Sequence, residues 1–259
     1  MRKLNLSQIF SAALLISGIC FLSPVSASAA EWGSVTGRFV YDGEVPKPVV
    51  QRQKGDPAVK DPTVCAAMEH FNNDLVVNPE NNGLANVFMY MRRAKDVHPD
   101  LKESKEKTIV FDQQGCTFEP HALVVRTDQK VIVKSGDPVA HNTHTFPLKN
   151  QAVNFILAPN DREGKEVANV IPEILPMQVK CDIHPWMTAY WFVVDHPYAV
   201  VSDKDGRFTI ENLPAGKNTF YLWQEKAGYL DRKFTVNIKP GETVDMGEVK
   251  FKPSQFKEK

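Results

Sequence analysis

Apolar and polar residues alternate along most of the chain in short runs, broken every few residues by Gly, Pro, Asp or Asn. A period of two with frequent breakers predicts half-buried antiparallel strands. The clearest runs are SVTGRFVY at 34–41, LANVFMYM at 84–91, HALVV at 121–125, KVIVK at 130–134, YWFVV at 190–194 and NTFYLW at 218–223. Eighteen prolines argue against long helices, because an interior proline removes a helical hydrogen bond. One short helix is expected over PTVCAAMEHF at 62–71, with Asp61 as its cap and Pro62 in its first turn. The fold class expected is all-β.

The first thirty residues break this pattern. Arg2 and Lys3 precede an apolar run from Ile9 to Leu22, and Ala27, Ser28 and Ala29 follow as small residues, the layout of a secretory signal peptide. The chain is expected to be periplasmic or secreted. The run is shorter than the ~20 residues a spanning helix needs, and nothing later approaches that length, so no membrane insertion is expected. Cys20 follows Ile19 where a lipidation signal wants a small residue, which argues against a lipid anchor.

The 259 residues carry 31 basic and 31 acidic side chains. Removing residues 1–30 leaves 29 against 31, with no basic excess for phosphate contacts. Nucleic acid is therefore not an expected partner. Motifs for hydrolase or phosphate chemistry (G-x-S-x-G, H-E-x-x-H, a glycine-rich phosphate loop) are missing, and no enzyme activity is expected.

The chemistry concentrates in VKCDIHPWM, where Cys181, His184 and Met187 are spaced C-x2-H-x2-M, and in DPVAHNTH upstream, with His141 and His144. A thiolate, two imidazoles and a thioether are the donor set of a trigonal copper site with a weak axial sulfur. Zinc is the alternative metal, with a carboxylate or water as fourth ligand, but a thioether suits copper better. Taken singly, Cys181 reads as a buried small residue and Met187 as a core filler. Residues three apart on a strand face opposite sides, so His141 and His144 compete for one place. No second cysteine in the loop supports a dinuclear centre, and no H-x-H pairs support a multicopper oxidase.

Residues 107–196 resemble a cupredoxin, and the loop CDIHPWM is closest in pattern to that of the amicyanins. The resemblance implies a Greek-key β-sandwich and one type 1 copper held by His141, Cys181, His184 and Met187. The match at His-Asn selects His141, which leaves His144 as a surface or outer neighbour. It also puts Asn142 beside the thiolate as a hydrogen-bonding neighbour. In this family electrons usually leave through the exposed edge of the loop histidine, here His184, inside an apolar rim. Pro185 and Trp186 are the expected rim and docking residues; ordinary core packing is the other reading of Trp186.

Cys65 and Cys116 are then unassigned, and in an oxidising compartment they most simply pair. The bridge would close about 50 residues and contribute roughly 4 kcal/mol on the chain-entropy model. A second metal site on Cys116 and His121 is the alternative. His70, His98 and His196 are expected to be exposed or structural. Further on, Asp203 to Gly216 (D-x-D-G-x-F-x-I-x-x-L-P-A-G) is similar to the carboxypeptidase regulatory-like, transthyretin-like sandwich modules. The DKDG within it reads as a turn, since it lacks the twelve-residue loop of a calcium-binding EF-hand.

The expected organisation is a signal peptide at 1–30, a β segment with a short helix at 31–106, the copper domain at 107–196, a smaller Ig/transthyretin-like sandwich at 197–252 and a disordered tail at 253–259. VTGRFVYDGEVPKP at 35–48 looks like a first strand of that module, so 31–106 is a candidate source of its opening strands, with the copper domain inserted. The expected function is an exported mononuclear type 1 copper protein that passes single electrons between redox proteins. Copper storage, delivery or sensing with the same ligands is one rival, and a metal-free adhesion or carbohydrate-binding protein is the other. The C-terminal module is a candidate contact for a cell surface or carbohydrate.

Overall fold

A computed structural model describes residues 31–168 and 170–256. The signal peptide and Cys20 lie outside the described residues. Within them the chain is nearly all β, arranged as two pairs of facing sheets and a two-stranded ribbon. No helix among the described residues is long and apolar enough to cross a membrane.

One pair of sheets is built from 108–194. Its five-stranded sheet runs, edge to edge, Asn154–Leu157, His141–Phe146, Met177–Lys180, Thr188–Val194 and Ala122–Arg126. The facing sheet runs Lys165–Ala168, Lys130–Val133, Thr108–Gln114 and Thr117–Glu119. Between them lie Phe111, Val131, Val133, Leu157, Val179, Trp191 and Val193.

The other pair joins distant parts of the chain. Trp32–Tyr41 pairs antiparallel with Arg207–Pro214 and parallel with Thr243–Phe251. The opposing sheet runs Ala199–Val201, Phe88–Tyr90, Gly216–Gln224 and Gly228–Ile238. Residues 31–106 are thus not a unit of their own: they give two strands to the sheets completed by the C-terminal third. The DKDG turn fits against the first strand, where Gly206 has φ +76° and a Cβ there would lie 2.1 Å from the Phe39 carbonyl oxygen. Only glycine meets both conditions.

YWFVV is apolar throughout because its strand is covered on both faces. Trp191 and Val193 enter the core between the first two sheets, while Phe192 and Val194 point outward onto Phe88, Tyr90, Ala199 and Trp223 of the second pair. The Phe192 and Tyr90 rings are 4.2 Å apart.

Two expectations are corrected. The helix stops after Pro62–Cys65, and His70–Phe71 is instead a strand paired with Val50–Arg52. The stretch read as a disordered tail begins with a 3-10 turn at Pro253–Gln255, and Phe256 is buried against Tyr41 with ring centres 5.5 Å apart. An aromatic side chain this apolar is stabilised by a core contact. Residues 257–259 lie outside the described residues.

Candidate metal centre

Strand alternation aims the donors inward. In His141–Phe146 the side chains of His141, Thr143 and Thr145 are buried, and those of Asn142, His144 and Phe146 take the other face. His144 is therefore apart from the site, its Nδ1 3.0 Å from Asp182. Cys181 follows Met177–Lys180 in phase with the buried Met177 and Val179. The loop then closes on itself: the Cys181 N–H donates to the Met187 carbonyl at 3.1 Å, and the Met187 N–H to the His184 carbonyl at 2.9 Å.

These turns bring together His141, Cys181 and His184, all buried, with donor atoms within 4.8 Å of one another. The two Nδ1 atoms are 2.8 Å apart, and His184 Nδ1 is 3.8 Å from Sγ. Met187 is 1% exposed, in the same core cluster as Cys181. The donor set suits a soft cation that accepts thiolate and imidazole.

Both imidazoles are held from behind. His141 Nε2 is 2.8 Å from Asp137 Oδ2, and His184 Nε2 is 3.2 Å from Asp61 Oδ2. A carboxylate on one ring nitrogen fixes the tautomer and turns the other toward a metal. Asp137 is itself buried, and its oxygens accept the N–H groups of Gly115 at 2.6 Å and Cys116 at 2.8 Å. Burial would raise its pKa, but the His141 contact and these two donors hold it below the ordinary carboxylate range.

Burial likewise opposes ionisation of Cys181. Hydrogen bonds from His141 and His184 and from the backbone N–H groups of Asn142 and His184 outweigh it and bring the thiol down to about 6. For His141, burial pushes the pKa down while Asp137 and the Cys181 thiolate push harder the other way, to about 9. Both shifts run in the direction that favours a thiolate beside an imidazolium, an arrangement in which binding a cation would release the imidazole proton.

Asn142 does two things. Its backbone N–H reaches the sulfur, and its side-chain Oδ1 accepts the N–H of Asp182 at 2.6 Å and of Ile183 at 3.3 Å, pinning the start of the loop.

Cys65 and Cys116 form a disulfide, with Cα atoms 5.4 Å apart. Cys116 is thereby removed as a second metal ligand, and His121 instead lies 2.8 Å from Glu225. His70 and His196 are buried and structural, with Nε2 2.6 Å from the Cys65 carbonyl and 3.0 Å from the Met91 carbonyl. His98 is half-buried and accepts the Asp100 N–H.

The expected exit at the edge of His184 is corrected. His184 is 0% exposed, with the Asp61 carboxylate at its Nε2 edge and the Trp186 ring 5.2 Å from its own. Trp186 is also buried: its Nε1 donates to the Cys116 carbonyl at 3.1 Å, and Arg52 covers its ring at 5.4 Å. Trp186 thus packs as core, and of the two expected docking residues Pro185 alone is exposed. Asp61 and Asp137 were missed as site residues. Asp61 reads as a helix cap in the sequence, and only Asp137, four residues before His141, carried a local signal.

No protein-family model matches the chain, and no curated protein matches it. Among solved structures, the chain is similar to the purple cupredoxin from Nitrosopumilus maritimus at 16% identity, over 33% of this chain and 98% of that one, with a TM-score of 0.28. Amicyanin from Paracoccus versutus matches at 13% identity over 41% and 97%, with a TM-score of 0.29. The copper-containing nitrite reductase from Thermus scotoductus matches at 15% identity and TM-score 0.30, over 33% of this chain, which spans 22% of that chain's length.

Proposed function

We propose that the protein is an exported mononuclear type 1 copper protein that carries single electrons between redox proteins. The reading rests above all on one observation: Cys181 Sγ and the Nδ1 atoms of His141 and His184 converge in a buried pocket. Copper bound there would supply one-electron exchange between Cu(I) and Cu(II). Cys181 would bind as thiolate, the two histidines through Nδ1, and Met187 would offer a soft thioether sulfur. Asp137 and Asp61 would keep both imidazoles in place in either oxidation state, so that little rearranges on electron exchange. Dry walls would exclude water as a competing ligand.

The test is a visible spectrum of the copper-loaded, oxidised protein, wild type against Cys181→Ser. An intense thiolate-to-copper charge-transfer band that the substitution abolishes is expected. Protein that stays colourless with excess Cu(II) and binds none stoichiometrically would sink the reading. Storage or delivery would use the same ligands; sluggish self-exchange together with copper transfer to an acceptor would favour that role.

A further inference from the structure

We propose that Asp61 is a positioning residue for His184, fixing its ring so that Nδ1 faces Cys181 and closing its outer edge to solvent and to partner proteins. The inference rests on the reading of His184 as a ligand and goes beyond it.

Pro62–Cys65 begins where a helix cap is expected, yet the Asp61 side chain makes no capping hydrogen bond. Its backbone is left-handed, at φ 54° and ψ 55°, which is uncommon for a residue other than glycine. That turn carries the carboxylate away from the helix and sets Oδ2 3.2 Å from His184 Nε2. Lys60 Nζ stands 3.7 Å from the other oxygen, on the solvent side.

The support beneath Asp61 is fixed at several points. Cys65, four residues on, is bonded to Cys116, and the Cys65 carbonyl is 2.6 Å from His70 Nε2. The ring of His70 lies 5.5 Å from that of Trp186, which lies 5.2 Å from that of His184. Asp61 is thus delivered to the histidine by a braced segment. A carboxylate accepting from Nε2 leaves Nδ1 without a proton and free to bind a metal. With that edge covered, a redox partner cannot touch the imidazole directly.

Asp61→Ala and Asp61→Asn separate the roles, since an asparagine oxygen still accepts from Nε2–H but carries no charge. In metal-free protein, nitrogen NMR of His184 should show the Nε2–H tautomer with slow proton exchange for wild type and Asp61→Asn. Asp61→Ala should show mixed tautomers and at least tenfold faster exchange. In copper-loaded protein, Asp61→Ala should lower copper affinity about 10- to 100-fold, within the range for outer-shell partners of metal ligands. Both variants should raise the reduction potential, because each removes a negative charge that stabilises Cu(II) over Cu(I). An Asp61→Ala protein whose tautomer, exchange and affinity match wild type would overturn the proposal. If wild type binds no copper, the copper reading fails by itself, and the metal-free tautomer and exchange measurements still decide the role of Asp61.

Discussion

One oxygen of Asp137 serves two parts of the molecule: Oδ2 lies 2.8 Å from His141 Nε2 and accepts the Cys116 N–H at 2.8 Å. The carboxylate therefore couples a metal-site imidazole to the turn that carries the disulfide. Asp137→Asn keeps the size but removes the charge and replaces one acceptor oxygen with a donor, which then faces either the Gly115 N–H or, flipped, the Cys116 N–H and His141 Nε2. Copper affinity is expected to fall by about 10- to 100-fold. Competition with a chromophoric Cu(I) chelator measures it, and an unchanged affinity would dissociate Asp137 from the site.

The Cys65–Cys116 bridge closes a separation of 51 residues, worth about 4 kcal/mol on the chain-entropy model. Replacing both cysteines with serine should lower the urea midpoint of the metal-free protein accordingly. The same change should loosen the supports of both histidines, since Cys65 braces Asp61 and Cys116 donates to Asp137. A midpoint equal to wild type would refute the stabilising role.

Glu173 is buried at 7% exposure, and its carboxylate accepts the N–H groups of Leu148, Lys149 and Asn150. Burial opposes its ionisation, but these donors and the Asn150 side chain hold its pKa below the ordinary 4.5. A depressed folded-state value means stability that is present above the unfolded value and lost as pH falls through the folded one. Glu173→Gln should cost roughly 2 kcal/mol at pH 7, as for hydrogen bonds to a charged group, with the gap from wild type shrinking below about pH 4.5. A gap that stays constant from pH 7 to pH 3 would contradict this account.

Phe192 fills the contact between the two pairs of sheets, against Phe88 and Tyr90. Phe192→Ala should destabilise by roughly 3–5 kcal/mol, the cost of a large core deletion. Its side chain lies on the opposite face of the strand from Trp191, so the copper spectrum should be unchanged. A lost or shifted charge-transfer band would show that the interface shapes the site.

The loop Cys181–Met187 was legible in the sequence because its donors lie within seven residues and their spacing survives folding almost unaltered. Strand alternation allowed only one of His141 and His144 into the site, since a period of two needs no tertiary information, and the resemblance at His-Asn selected His141. The shield over the site was not legible. Asp61 and His184 are 123 residues apart, and the sequence around Asp61 carries an ordinary cap signal that the fold overrides. Trp186 posed a similar ambiguity: an aromatic beside a ligand is rim or core according to what covers it, and the cover comes from Val50–Phe71.

The sequence by itself determined the all-β class, the alternation that sets His141 and His144 on opposite faces, and the donor types that favour a soft metal. All of these follow from residue chemistry and short-range geometry. Tertiary structure alone decided that Phe88–Tyr90 joins the C-terminal sheets, where the resemblance at 35–48 had already pointed for Trp32–Tyr41, and that two carboxylates stand behind the two imidazoles. It also decided that His184 is closed off from solvent. Such contacts depend on which surfaces bury one another when the whole chain collapses, and no local pattern of residues records that choice.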